Sequence, residues 1–343
     1  MAEQRIVVTK VGGPEVLRPE PFAPAAPAPG EVGIEVRAIG LNFADIFCRL
    51  GLYKAAPPLP FSPGFEVAGV VAEVGDGVGE FQAGDRVFAV TRFGGYTTHL
   101  TVGASRVRPL PEGWSFAEGA GFPTTYLTAH HGLVNLGQLR RGETVVVHSA
   151  AGGVGTAACQ VARGLGARVI GTVGSEVKRG VALEAGAGDV VVSRTYDVWD
   201  DIDRLTKGAG VDVVFDAVGG RGLKRGFDAL RPGGRLVVYG FAAMMPRGGR
   251  RNWPLLAWRF LRTPRFSPFT MVESNRTVAG FNLVHLWERE DLLETSVREL
   301  SAMASRGVIR PVIGKTYPFE RVGEAHAFLQ SRESTGKVVL RRG

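Results

Sequence analysis

Two textures of apolar and polar positions divide the chain. Up to about Leu127 the apolar positions come in short β-branched runs, RIVVTK, EVGIEVRAIG, FEVAGVVAEVG, DRVFAV and GYTTHLTV, each closed by Gly, Pro or Asp. That pattern predicts short strands joined by turns, a β-rich domain of the partly open barrel type. From about Thr128 longer apolar strands (TVVVH, RVIGTV, DVVVS, VDVVFDAVG, RLVVYG, TVAGFN) alternate with helix-length amphipathic segments. Such alternation predicts an α/β domain with a doubly wound parallel sheet. After Asn282, REDLLETSVRELSAMASRG reads as a helix that is acidic in its first turn and stopped by Gly307. The tail from Ile309 returns to strand, helix and strand and is expected to fold back on the first domain. The expected division is therefore 1–127, 128–283 and 284–343, with the middle part inserted into a domain made by the other two.

One stretch carries chemistry at once. Ala150-Ala151-Gly152-Gly153-Val154-Gly155 follows the strand VVVH and precedes a helix ending at LGA, a GxGxxG turn with alanine in the first place. Gly152 lets the backbone approach a pyrophosphate, Gly155 lets helix pack on strand, and the helix N-terminus faces the anion. The cradle is expected to run from Ala151 through Gly152, Gly153 and Val154. About twenty residues on, NAD sites carry an acidic residue for the ribose hydroxyls. Here that region reads Gly171-Thr172-Val173-Gly174-Ser175-Glu176-Val177-Lys178. Thr172 lies at the strand end, Ser175 and Lys178 can hold a 2′-phosphate, and Arg194 is a third candidate. NADPH is the expected cofactor. Glu176 argues against this, but its place beyond Ser175 suggests that it points to solvent.

Composition and charge narrow the classes. At 343 residues, 45% hydrophobic and 22% charged, the chain is long enough for two domains with proper cores. No apolar run approaches the roughly 18 residues of a membrane span, and MAEQRIVVTK leads into a strand rather than a signal peptide, so a cytoplasmic location is expected. The net charge of +8 is spread along the chain without a nucleic-acid recognition motif, and an anionic cofactor accounts for part of it. Two cysteines, Cys48 and Cys159, have no metal-type spacing, and the histidines form no metal or triad motif.

AAGGVG, GTVGSEVK and the terminal STGKVVL together resemble the medium-chain dehydrogenases/reductases, and within them the zinc-free, zeta-crystallin-like quinone oxidoreductases. The likeness runs from KVGGPEVL to GKVVL. ADIFCRLGLYKAAPPLPFSPGFEVAGVV, GGRRNWPLLAWRFL and SNRTVAGFNL resemble the branch of vesicle amine transport protein homologues. The resemblance implies a Rossmann domain inserted in a GroES-like catalytic domain, and a homodimer. It also implies cofactor contacts from Thr128, Val218, Gly240, Phe241, Phe281 and Asn282, with Arg332 and Lys337 reaching the NADPH phosphates.

Zinc alcohol dehydrogenases place a cysteine three residues before an aspartate, and a histidine in GHE. The matching places here are Asn42, before Asp45, and Phe65, in Gly64-Phe65-Glu66. Phenylalanine cannot ligate zinc and asparagine replaces a thiolate poorly. No metal is expected, and without a Lewis acid alcohol oxidation gives way to reduction of an activated acceptor, a quinone or an α,β-unsaturated carbonyl. Tyr53 matches the tyrosine that serves as acid in related zinc-free enoyl reductases; the alternative makes it a rim aromatic with water as proton source. Asn42 is the companion candidate, hydrogen-bonding the nicotinamide ribose or the substrate carbonyl. Phe47 stands where many quinone reductases have a second tyrosine.

Two other functions remain open at this point. One is a specialised biosynthetic enoyl reductase or conjugate-addition catalyst on a lipid-like substrate. The other is a membrane-associated interaction protein that retains the fold, supported by residues 253–262, WPLLAWRFLR, whose composition suits a lipid headgroup layer. Packing at the edge of a site or at a subunit interface explains that segment equally.

Overall fold

The structure is a computed structural model describing residues 3–193, 198–244, 253–287 and 289–342. It divides into two compact units: Met1–Thr124 with Pro311–Gly343, and Thr125–Pro246 with Asn252–Arg310.

The second unit is built on six parallel strands. In spatial order they are Asp189–Val192, Arg168–Val173, Thr144–His148, Val211–Asp216, Leu230–Val238 and Thr277–Gly280. Valine-rich runs suit these places because a doubly covered parallel strand is apolar on both faces; every residue of Val211–Asp216 is buried. Val146, Ile170, Val214, Leu236, Phe227 and Trp199 share one core. In chain order the strands lie 3-2-1-4-5-6, so the direction of winding reverses between Thr144–His148 and Val211–Asp216, where doubly wound sheets bind ligands at their carboxyl ends.

The first unit is mostly antiparallel. Its sheet runs Ile313–Pro318, Lys337–Arg341, Glu31–Gly40, Glu66–Val74, Arg86–Val90 and Val107–Pro109, and His99–Gly103 adds to Glu31–Gly40. The ten-residue strand Glu31–Gly40 serves three partners by shifting register between Gly33 and Ile34 and again between Val36 and Ala38, bends that curl the sheet. This is the α/β arrangement expected: a parallel-sheet unit inserted in a β-rich one.

The return to the first unit, expected from 284, falls instead at Pro311. The physical reason lies in the helix Glu290–Ser305, which buries Leu300 and Met303. Met303 and Val308 close over Gly164, where a Cβ would lie 2.6 and 2.7 Å from them, and Glu299 bonds His130 Nε2 at 2.8 Å. The helix Trp253–Leu261 behaves otherwise: only Leu256 is buried, while Trp253, Trp258, Phe260 and Leu261 are exposed. No helix among the described residues is long and apolar enough to cross a membrane.

Gln160, buried on the helix Gly153–Gly164, holds both ends of the second unit. Its Oε1 accepts from Tyr126 Oη (2.6 Å) and from Arg310 N (2.8 Å), and its Nε2 donates to Arg310 O (2.9 Å). Leucine at 160 leaves all three groups without this partner, so Gln160→Leu is expected to lower stability by about 3 kcal/mol. Urea denaturation against wild type checks this; an unchanged midpoint would show the clasp contributes nothing.

Candidate active site

The glycine turn takes the conformation its sequence predicts. Strand Thr144–His148 ends, Ser149 turns left-handed at φ +57°, Gly152 N donates to Ser149 O (2.9 Å), and the helix begins at Gly153. A Cβ on Gly155 would lie 2.1 Å from Ser149 O and 2.8 Å from Ala150 C, so only glycine permits this approach. Gly152, Gly153 and Val154 are half-exposed and Ala151 is buried. The helix has no acidic residue in its first turn, leaving the unpaired N–H groups and positive dipole end unopposed, a setting that fits a pyrophosphate.

The remaining nucleotide candidates sort by environment. Thr172 is buried at the end of its strand and its hydroxyl bonds His148 Nδ1 at 2.8 Å. Ser175 and Lys178 are half-buried around the single turn Glu176–Lys178; Glu176 is exposed and pairs with Arg179, as its position beyond Ser175 suggests. Arg194 lies outside the described residues. Val218 and Gly219 are held by a residue that the sequence reading missed: Asp216 Oδ1 accepts from both backbone amides at 2.6 Å. Asp216 Oδ2 also stands 3.7 Å from His148 Nε2, and burial lowers the His148 pKa against the pull of that carboxylate. A buried acid closing the apolar strand VDVVFD was the available signal. Gly240 packs on Ala217, Phe241 is exposed, Phe281 meets His131 edge-on at 4.9 Å, Asn282 caps the turn Leu283–Leu286, and Thr128 is buried on the helix Pro123–His130.

In the first unit a second cluster forms where three strands end together. Glu31–Gly40 pairs antiparallel with Lys337–Arg341 on one side (Gly40 opposite Val339) and with Glu66–Val74 on the other (Ile39 opposite Val67). Antiparallel register therefore brings the starts of the two outer strands, Lys337 and Glu66, beside Asn42 just past the end of the middle one. Lys337 Nζ donates to Asn42 Oδ1 (2.7 Å) and to Glu66 Oε1; Asn42 Nδ2 donates to the same Glu66 oxygen (2.9 Å). Glu66 Oε2 accepts from Thr124 N at 2.7 Å. Lys337, expected at the cofactor phosphates, is instead 3% exposed and engaged inside this unit; its amine is drawn to the Glu66 carboxylate that starts the strand Glu66–Val74. Arg332 is half-buried in a left-handed helix cap. Tyr53 is half-buried with its ring edge-on to Phe65 at 6.4 Å, and Phe65 continues to Phe93 at 5.3 Å.

Known proteins match both units. A model of the alcohol dehydrogenase GroES-like domain covers residues 28–138, and one described as zinc-binding dehydrogenase covers 153–301. The synaptic vesicle membrane protein VAT-1 homolog of Mus musculus is 39% identical over 98% of this chain and 82% of its own length. The Escherichia coli quinone oxidoreductase, crystallised with NADPH, superposes with a TM-score of 0.85 at 34% identity, covering 98% of this chain and 99% of the other. The CurK enoyl reductase gives 0.85 at 29% identity over the full length of both. The chain belongs to the medium-chain dehydrogenase/reductase family, in the group of quinone oxidoreductases and VAT-1 homologues.

The zinc in the name of one matching model does not fit this dehydrogenase/reductase. Asn42 and Phe65 occupy the ligand positions, and no three His, Cys, Asp or Glu among the described residues are grouped to hold a metal. Glu66, whose carboxylate bonds the Asn42 side chain, already faces an ammonium that would repel a second cation.

Asp45 lies beside this cluster, fully buried, accepting from Asn42 N (2.8 Å), Gly64 N (3.1 Å) and the Tyr96 hydroxyl. Burial pushes its carboxyl up to about 7 from 3.8, although those hydrogen bonds and the Lys337 charge oppose the rise. Folding therefore favours the protonated acid. Its stabilising contribution is complete below about pH 4 and is lost as pH rises through about 7. The melting temperature of wild type is expected to fall between about pH 4 and about pH 7, and that of Asp45→Asn to change less. Parallel melting curves for the two proteins across that window would contradict the assignment.

Proposed function

We propose that this protein is an NADPH-dependent, zinc-independent reductase of quinones or α,β-unsaturated carbonyls. The observation that carries the reading is the Lys337 ammonium lodged on Glu66 and Asn42, where a zinc dehydrogenase would hold its metal. An alcohol substrate needs a Lewis acid to acidify its hydroxyl, whereas a quinone or enone is already activated and needs only hydrogen bonds to its oxygen and one proton.

NADPH, when bound, supplies the hydride, which is two electrons with one hydrogen nucleus. The helix amides at 153–155, the loop at Val218 and Gly219, and Ser175 with Lys178 are the groups that would hold it. On the acceptor the new C–H bond forms at the β-carbon while the π pair moves to oxygen, and one proton completes the product; a quinone gains the same hydride and proton as hydroquinone. Tyr53 supplies that proton. A phenol is a weak enough acid to carry its proton at neutral pH, and it is replenished from water. Its setting among Phe65 and Phe93 suits an apolar, planar acceptor. The E. coli quinone oxidoreductase and the CurK enoyl reductase support this acceptor class by their likeness.

NADPH is expected to bind at least about tenfold more tightly than NADH, a preference of about 1.4 kcal/mol, and Ser175→Ala/Lys178→Ala to remove most of it. Fluorescence titration with both nucleotides measures this, and absence of nucleotide binding would sink the reading. Tyr53→Phe is expected to slow enone reduction about 100-fold while leaving NADPH affinity within twofold; unchanged turnover would assign the proton to water.

A further inference from the structure

We propose that Lys337 is a positioning residue that locks the Asn42 amide as the hydrogen-bond donor to the acceptor oxygen on which negative charge develops. The proposal rests on the reductase reading and names the group that performs its electrostatic step.

An ammonium can only donate and an ionised carboxylate can only accept. Lys337 holds the oxygen end of the Asn42 side chain and Glu66 holds the nitrogen end, so the amide has one orientation and cannot flip. One Nδ2 hydrogen goes to Glu66 Oε1; the other has no acceptor among the described residues. The Asn42 backbone N–H is already given to Asp45 Oδ2 and the second Glu66 oxygen to Thr124 N. Drawing electron density toward Oδ1, the ammonium makes the remaining N–H a stronger donor than a neutral amide. Both charges are buried, with side chains 4% and 0% exposed. Burial of an ion pair carries a desolvation penalty that packing alone would not require.

The test uses 4-nitrophenol, whose anion has the charge and shape of a half-formed hydroquinone and whose ionisation is visible in its absorbance. Bound to the NADP⁺-loaded protein, the probe is expected to ionise about one pH unit lower than in free solution, a tenfold preference for the anion. Lys337→Met is expected to return the midpoint to that of free probe and to lower kcat/KM about tenfold or more, while NADPH affinity stays within twofold; Lys337→Arg restores part of the shift. Because a lone buried Glu66 threatens folding, Lys337→Met/Glu66→Gln removes both charges and gives the same readout. In an Asn42→Ala background Lys337→Met should move the midpoint no further. The proposal is overturned if wild type does not shift the probe, if a folded Lys337→Met keeps the shift, or if the two substitutions add. A loss of NADPH affinity without a change in the probe would overturn it in favour of a phosphate contact. NADPH titration of wild type reports on the reductase reading separately.

Discussion

The buried contact between Lys337 and Glu66 governs the first unit. The two residues are 271 positions apart, and they meet because the last strand, Lys337–Arg341, and the strand Glu66–Val74 flank the same long strand, Glu31–Gly40. The unit is thus closed by chain made after the whole second unit. The contact also ties Glu66 and Asn42, the latter at a position that matches a zinc ligand of the family, into an internal ion pair and hydrogen bonds.

A parallel logic runs through the second unit with the signs exchanged. At the switch point of the sheet, Asp216 collects the amides of Val218 and Gly219, while the glycine helix keeps its own first amides unopposed. One set of backbone donors is consumed to shape a loop and the other is left for an anion. His148, between them, is kept toward its neutral form by burial and ties Asp216 to Thr172.

Much of this was legible in the sequence wherever chemistry is local. The glycine turn and the parallel-sheet strands are properties of a few consecutive residues, because backbone sterics and the period of apolar positions act over that range. The missing zinc ligands could be read once the positions were known from the family. The places where the reading and the structure part company involve side chains that travel. Lys337 was expected at a phosphate and lies against Glu66; the helix Glu290–Ser305 was expected with the tail and packs over Gly164. Asp216 escaped notice because an acid at the end of a valine run is legible as a strand end and says nothing of the amides beyond it.

By itself, then, the sequence determined the α/β class, the position and hand of the nucleotide turn, and the absence of thiolate and imidazole from the metal positions. These follow from residue type and spacing. Only the tertiary structure decided which charges meet, because the encounter of Lys337, Glu66 and Asn42 depends on antiparallel register between three strands from opposite ends of the chain. A shift of one residue in that register would turn the side chains to the other face of the sheet, and no local pattern records it.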